Sequence, residues 1–206
     1  QISGCAVISQ ADCENGHWER IGHKVGMNGE RDRQTAFVKR ADICAKYQQG
    51  ADQQAFDRGH EAGIEQYCDI PSAVDLGARG VSPSNSIDTC PEYDYPGFAS
   101  AYRAGRKLYE LNRRVELAQA EMDRLESNAY EYQRERSELR REVRSGDLSD
   151  DQVRYAKRRS RQLARDIRSI EDDAYYERDR VLEYQRAADN YARLLDVEYG
   201  DGRPEF

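Results

Sequence analysis

Residues 105–197 decide the fold, because apolar side chains recur there at alternating spacings of three and four. The first run is Leu108, Leu111, Val115, Ala118, Met122, Leu125, Ala129, Tyr132, Arg136, Leu139 and Val143, and the second is Val153, Ala156, Ser160, Leu163, Ile167, Ile170, Ala174, Glu177, Val181, Tyr184, Ala188, Tyr191 and Leu195. Only Arg136, Ser160 and Glu177 interrupt the apolar character. The spacing is typical of the a and d positions of a coiled coil, so it predicts two long helices that share one narrow seam.

The segment between the two runs, residues 145–152, carries the signals of a helix end and a helix start. Gly146 suits the position after a helix C-terminus, and Ser149 with Gln152 three residues on forms a capping box. The chain is therefore predicted to fold back as an antiparallel hairpin with arms about 60 Å long. The alternative is a long helix that pairs with another chain.

The two runs also predict a register for the hairpin. If Val143 meets Val153 beside the turn, Leu125 meets Ile170 near the middle of the arms. The same register sets Arg136 opposite a serine, so that its long stem can reach water.

The charge balance limits the classes of partner. The chain has 39 acidic and 32 basic residues and a formal net charge of −7. This balance argues against a general nucleic-acid binder. The main basic exception is the tract 157–161, which we expect to be a solvated face whose cations pair with nearby acids: Glu135, Glu138 and Asp166.

All five cysteines lie in the N-terminal part of the chain: Cys5, Cys13, Cys44, Cys68 and Cys90. An odd count leaves one cysteine outside a disulfide framework. That one is expected to be Cys5, because Ile2-Ser3-Gly4-Cys5 has the form of a bacterial lipobox. We expect Cys5 to be lipidated and to anchor the protein to a membrane, and export would place the other cysteines in an oxidising compartment.

Two disulfides are predicted, Cys13–Cys44 and Cys68–Cys90. The first would join two helices that share few apolar residues, and the second would close the proline-rich stretch 69–96. The rival pairing joins Cys13 to Cys68 and Cys44 to Cys90, which would tie the third predicted helix to the first. Four cysteines allow three pairings, so the sequence alone leaves the choice open.

The N-terminal part is predicted to be a small helical head. Residues 6–15 are interpreted as a tether, and helices are expected at 17–27, at 30–48 and from Asp52, its N-cap, to about residue 68. Residues 69–96 are interpreted as a long ordered loop or a pair of turns, because four of the five prolines lie there. The segment 77–80 is interpreted as a turn, and Pro96-Gly97 is expected to begin the first arm of the hairpin.

Aromatic residues precede glycines at helical spacing three times in the head. The residues are Trp18, Gly22, Gly26, Phe56, Gly59, Gly63, Tyr102 and Gly105. Glycine inside a helix is about 1 kcal/mol less favourable than alanine, so a compensating interaction is needed. We expect close helix packing on the bare glycine backbones; the alternative is that some of the glycines end helices.

The sequence predicts no catalytic, metal or cofactor site. His17 and His23 are six residues apart, which does not place them on one helical face, and no Cys-x-x-Cys pair suggests zinc or redox chemistry. His60 beside Glu61 is interpreted as a surface pair. We therefore expect a protein that is not an enzyme and needs no cofactor.

Residues 5–105 resemble the small bacterial lipoproteins grouped as domain of unknown function 2799. The features that carry the resemblance are Cys13 before Trp18, the Gly22/Gly26 pair, Cys44, the segment Phe56-x-x-Gly59-x-x-x-Gly63-x-x-x-Tyr67-Cys68, Gly77-x-x-Gly80, Cys90-Pro91 and Tyr102-x-x-Gly105. The resemblance implies an exported lipoprotein with no assigned activity. Ala6 after Cys5 fits sorting to the outer membrane. The chain departs from the family pattern at residues 81–85.

The predicted fold is all-α, a small disulfide-stapled helical head followed by a long antiparallel coiled-coil hairpin. Its parts are the end of a lipoprotein signal at 1–5, the head at 6–100, the hairpin at 101–199 with its turn near 145–150, and a tail at 200–206.

The expected function is that of an outer-membrane lipoprotein, facing the periplasm or the cell surface. The hairpin would be a structural spacer or a docking arm for an envelope protein, with contacts from Arg134, Arg140, Tyr155 and Tyr176. A second copy of the chain is a further candidate partner, and nucleic acid is not expected. The alternative is a module that binds a small ligand or a glycan through the aromatic and glycine residues of the head.

Overall fold

The computed structural model describes residues 8–200, and within these the regular structure is helical. The helices are α1 Gln10–Asn15, α2 Trp18–Met27, α3 Arg33–Ala45, α4 Gln53–Tyr67, α5 Ile70–Ala78, α6 Phe98–Ser145 and α7 Asp150–Tyr199, with a 3-10 turn at Pro83–Asn85. The predicted all-α fold, a disulfide-stapled head followed by a long antiparallel helix pair, is confirmed. The described residues divide into two compact units: Glu110–Arg193 form one, and the residues before and after them form the other.

Two short helices occur where the sequence predicted none. In α1, inside the predicted tether, the Asp12 amide donates to the Ser9 hydroxyl at 3.1 Å and the Asp12 carboxylate accepts from the Ser9 amide at 3.3 Å. In α5, inside the predicted loop, Asp69 caps the Ser72 amide at 2.7 Å and proline occupies the first turn. The loop interpretation was wrong for Ile70–Ala78, because a proline in the first turn of a helix removes no intrahelical hydrogen bond; residues 79–96 contain only the short 3-10 turn.

The head carries two disulfides, Cys13–Cys44 and Cys68–Cys90, rather than the rival pairing. All four cysteines are buried. Cys13–Cys44 joins α1 to α3, and Cys68–Cys90 links the end of α4 to the segment before α6. In the chain-entropy argument, loops of these lengths give about 3.5 kcal/mol each, which is a large share of the stability of a small head.

The seam of the long helices follows the predicted spacing. Every residue of both runs is buried or half-buried, and Leu163 and Leu195 are fully buried. The turn carries the expected capping box, in which the Ser149 amide donates to the Gln152 side chain at 2.8 Å and the Gln152 amide donates to the Ser149 hydroxyl at 3.4 Å. The two arms therefore bury one stripe and leave their remaining faces to solvent.

The register of the arms differs from the predicted one. Polar contacts between the arms include Glu135 to Arg159 at 2.8 Å, Gln133 to Glu171 at 3.0 Å, and Glu126 to Arg178 at 3.1 Å. The contact between Glu135 and Arg159 lies on one flank of the seam, and the other two contacts lie on the opposite flank. In the seam, halfway between these flanks, an a position of one helix faces a d position of the other. Leu125 therefore faces Ala174, and Arg136 faces Leu163. The predicted register was wrong by about half a heptad.

The polar residues of the seam are incompletely satisfied. Glu177 accepts a hydrogen bond from Arg180 at 2.7 Å, but its second carboxylate oxygen is buried and has no hydrogen-bond partner among residues 8–200. The Nε of Arg136 is also buried and has no hydrogen-bond partner among these residues. A buried polar group without a partner costs about 1–3 kcal/mol, so these layers are weaker than the apolar layers beside them.

Candidate functional site

Helices α2 and α4 touch through their backbones. Gly22 and Gly26 on α2 face α4, and Gly59 and Gly63 on α4 face α2. A Cβ atom added at any of the four would lie within 3.0 Å of a carbonyl oxygen on the opposite helix; at Gly59 that oxygen belongs to Glu19. Since real side chains do not approach backbone so closely, only glycine permits this packing. These glycines therefore lie at a helix–helix contact, and none of them is a helix cap.

Helix α5 and the start of α6 make a second contact of the same kind. A Cβ atom at Gly77 would lie within 3.0 Å of the Tyr102 carbonyl oxygen, and one at Gly105 within 3.0 Å of the Val74 carbonyl oxygen. The interpretation of Gly77 as part of a turn was wrong, because it lies inside α5; the turn consists of Arg79 and Gly80, and Gly80 has φ +72°.

The two helix pairs share further details. After α2 the chain turns at Gly29, which lies against the ring of Tyr67 from α4; after α5 it turns at Gly80, which lies against the ring of Tyr109 from α6. In both second helices this tyrosine follows the packing glycine by four residues. The turn glycine follows the packing glycine of the first helix by three residues in both cases. The same local arrangement therefore occurs twice.

His60 and Tyr102 occupy equivalent places in the two pairs. His60 Nε2 lies 2.6 Å from the carbonyl oxygen of Glu30, the residue after the first turn glycine. The Tyr102 hydroxyl donates to the carbonyl oxygen of Val81, the residue after the second turn glycine. Both side chains are buried, so the interpretation of His60 as a surface residue was wrong. The head is a tandem repeat of one unit, in which a disulfide accompanies each glycine-packed helix pair.

The aromatic residues of the first unit fill its core. The ring of Phe37 lies 5.6 Å from that of Trp18 and 5.4 Å from that of Phe56, and the Trp18 indole donates to the Gly50 carbonyl oxygen at 3.2 Å. All three rings are buried. Edge-on and tilted rings at these distances stabilise a core. The aromatic and glycine residues named from the sequence therefore pack inside the head.

A shallow groove of about 380 Å³ lies on the head beside Arg31, Glu61 and Tyr95. Arg31 donates to the Asp88 carbonyl oxygen at 2.8 Å. Burial raises the pKa of Tyr95, and the nearby carboxylates, with Asp94 first, raise it further, so its hydroxyl stays a neutral donor. In this groove, polar donors and acceptors of the described head converge on open space.

The described chain holds no group of three His, Cys, Asp or Glu residues placed to hold a metal ion. None of its helices is both long and apolar enough to cross a membrane. Cys5, the predicted lipidation site, lies outside the described residues.

The outer face of α7, opposite the seam, carries a row of five arginines. This arginine row is Arg154, Arg158, Arg161, Arg165 and Arg168. All five are exposed, and their spacing of four and three residues places them on one line about 21 Å long. Arg154 pairs with Asp151, while the other four have no carboxylate within 4.0 Å in residues 8–200.

The neighbourhood of the arginine row is positive and contains exposed tyrosine. Residues 134–168 hold twelve basic and seven acidic side chains, although the whole chain is acidic. The expectation that nearby acids neutralise the tract 157–161 holds for Arg159, which Glu135 contacts at 2.8 Å, whereas Glu138 lies near Arg134. Tyr155 is 61% exposed and lines a groove of about 830 Å³ with the row. The arginine row is our candidate docking surface.

Comparison with known proteins gives a family match that lies in the head and the start of α6. Residues 17–107 match the model of a family described as protein of unknown function, DUF2799. No curated protein and no solved structure matches the chain. The match spans both glycine-packed contacts and ends inside α6, so the arginine row lies outside it. The resemblance of the head to domain of unknown function 2799 is confirmed, since residues 17–107 match the model of that family.

Proposed function

We propose that this chain is a structural, protein-docking element of the bacterial envelope without catalytic activity. A lipid on Cys5 holds the head at the outer membrane, and the hairpin is the docking arm. The observation that carries the docking role is the arginine row, an exposed line of cations of which four have no carboxylate partner in the described chain.

An unpaired row of like charges favours an anionic partner. Cations four residues apart on one helix repel each other, so the row destabilises α7 slightly when the protein is alone. An opposing line of carboxylates would relieve this repulsion, and guanidinium groups bind carboxylates in a directional, two-pronged manner. Arginine and tyrosine are also enriched where proteins bind each other. A partner with an acidic surface therefore fits this face of the arm.

The envelope location is supported by cysteine chemistry. The two disulfides of the head are of a kind that persists in oxidising compartments and is rare in the cytosol. The segment Ile2-Ser3-Gly4-Cys5 has the form of a lipobox, and Ala6 fits outer-membrane sorting.

Photocrosslinking in intact cells tests the docking role. A photoreactive phenylalanine derivative is placed at Tyr155 or Tyr176 on the hairpin, and at Tyr93 on the head as the matched control; all three side chains are well exposed. We expect adducts from the hairpin positions and none from Tyr93. Adducts from Tyr93 alone would show that the head is the docking part and would overturn the proposal.

Replacing the lipidation site tests the anchor. Cys5→Ser is expected to move the protein from the membrane fraction to the soluble periplasmic fraction, because a lipid chain contributes about 0.8 kcal/mol per buried CH₂ and a serine carries none. Fractionation of cells followed by immunodetection measures the distribution. Membrane association that survives the substitution unchanged would contradict lipid anchoring at Cys5.

The second candidate function is ligand binding by the head. The groove beside Arg31 and Tyr95 supports it, since a neutral hydroxyl donor and a guanidinium flank open space there. The aromatic core residues do not support it, because they pack on each other. Glycan fragments that shift the amide resonances of Tyr95 but not of Tyr155 would favour this function over docking by the hairpin.

A further inference from the structure

The outer line of α7 changes its charge sign beyond the arginine row. It continues through Asp172, Tyr175, Asp179 and Leu182, with Glu183 beside it. All five side chains are exposed, and the tyrosine is 65% exposed. None of the three carboxylates has an ion-pair partner within 4.0 Å in the described chain. One line of one helix thus presents unpaired cations followed by unpaired carboxylates.

We infer that this line of α7 docks against the same line of a second copy, antiparallel, about a two-fold axis at the level of residue 170. Arg168 lies two residues before residue 170 and Asp172 lies two residues after it. Arg168 of one copy therefore contacts Asp172 of the other copy. Arg161 and Asp179 are each nine residues away and also meet. A two-fold interface repeats every such pair, because residue i contacts j and j contacts i. The inference rests on the proposed docking role and names its partner.

The pairs between the charged ones are also compatible with this arrangement. Arg165 and Tyr175 are equally distant from the axis, so a guanidinium lies over an exposed ring, which is a favourable cation–π geometry. Arg158 meets Leu182, where the apolar part of the arginine stem covers an exposed leucine. The exposure of the tyrosine and the leucine on this line is explained by the same contact that pairs the charges.

The area of the proposed contact is small. The line between Lys157 and Glu183 is about 40 Å long and one helix, about 10 Å, wide. Such a strip is at the low end of the area of specific interfaces, so association is weak and reversible. Because charged pairs supply much of the attraction, it weakens as salt rises.

An anionic lipid surface fits the molecule less well. It would attract the arginine row, but it would repel Asp172, Asp179 and Glu183 on the same line. A second copy offers an opposite charge to both halves of the line between Lys157 and Glu183 at once.

Charge exchange on the full-length protein tests the inference. Light scattering coupled to size-exclusion chromatography gives the mass at protein concentrations up to about 100 μM, in about 0.05 M and about 0.5 M salt. The variants are Arg161→Asp with Arg168→Asp, Asp172→Arg with Asp179→Arg, and the combination of all four. Phosphatidylglycerol vesicles give the comparison with a lipid surface, and circular dichroism verifies that each variant remains helical.

We expect the natural sequence to double in mass as its concentration rises at low salt. Each double variant places like charges together and should weaken association at least about tenfold, whereas the fourfold variant reverses each pair and should restore it. A monomer at every concentration, or a fourfold variant as weak as the doubles, would overturn the inference. Vesicle binding that Asp172→Arg with Asp179→Arg strengthens, in a protein that stays monomeric, would overturn it in favour of a lipid surface.

The outcomes separate this inference from the docking role itself. A monomeric protein whose Tyr155 or Tyr176 adducts in cells contain a different protein keeps the docking arm and removes the second copy as its partner. The absence of hairpin adducts in cells, together with a monomer in solution, removes both.

Discussion

Gly59→Leu is expected to lower the free energy of unfolding of the head by about 3–5 kcal/mol. A Cβ atom at this position would lie within 3.0 Å of the Glu19 carbonyl oxygen, which belongs to the backbone of the opposite helix and cannot rotate away. Helices α2 and α4 must therefore separate, and the packing at Gly22, Gly26 and Gly63 is lost with them. Urea denaturation followed by Trp18 fluorescence measures the effect, because this buried side chain is the single tryptophan of the chain.

Gly50→Leu is the matched control. Its Cβ would have no heavy atom within 4 Å, and its φ is not in the left-handed region. We expect a change within about 0.5 kcal/mol, typical of a surface substitution. Equal losses from both variants, or no loss from Gly59→Leu, would show that backbone contact between α2 and α4 does not hold the head together.

The sequence predicted the long helices well because their signals are local. The heptad spacing, the Ser149–Gln152 capping box and the Asp52 cap each depend on residues within a few positions of one another. The register is different, since heptad positions identify the buried face of each helix but do not say which layers meet. In this protein the layers follow from flank contacts such as Glu135 with Arg159, which depend on both arms at once.

The sequence predicted less of the head, because equivalent positions of its two repeat units carry different residue types. The hydrogen-bonding side chain above the turn is a histidine in one unit and a tyrosine in the other, so His60 and Tyr102 do not look equivalent. Pro71 lies in the first turn of α5, and a proline there suggests a loop. Gly77 and Gly80 look alike in the sequence. In the structure Gly77 packs against the backbone of α6, whereas Gly80 forms the turn.

The candidate docking surface was visible in the sequence only as a basic tract. The spacing of Arg154, Arg158, Arg161, Arg165 and Arg168 was readable, but whether neighbouring acids neutralise them depends on side-chain positions. Glu138 illustrates the point, because it lies 3.7 Å from Arg134 on its own helix instead of reaching the other arm. The family match stops at residue 107, so the docking role is argued from this chain's own hairpin.

Leu125→Asp is expected to lower the free energy of unfolding of the hairpin by about 3–5 kcal/mol, because it buries an unpaired charge in the seam. Leu125 is 9% exposed and level with Ala174, which offers no counter-charge. Thermal unfolding of the full chain, followed by far-ultraviolet circular dichroism, measures the loss. Ser127→Asp is the control, since it adds the same charge to an exposed position of the same helix and should change stability by less than about 0.5 kcal/mol.

Leu163→Asp extends this prediction into a test of the register. Leu163 is 0% exposed, so burial alone would make its replacement at least as damaging as that of Leu125. It is, however, level with Arg136, whose Nε is buried without a hydrogen-bond partner. An aspartate at position 163 can accept from that guanidinium, so the loss should be smaller than for Leu125→Asp by about 1–3 kcal/mol. A larger loss at 163 than at 125 would mean that the arms meet in a different register.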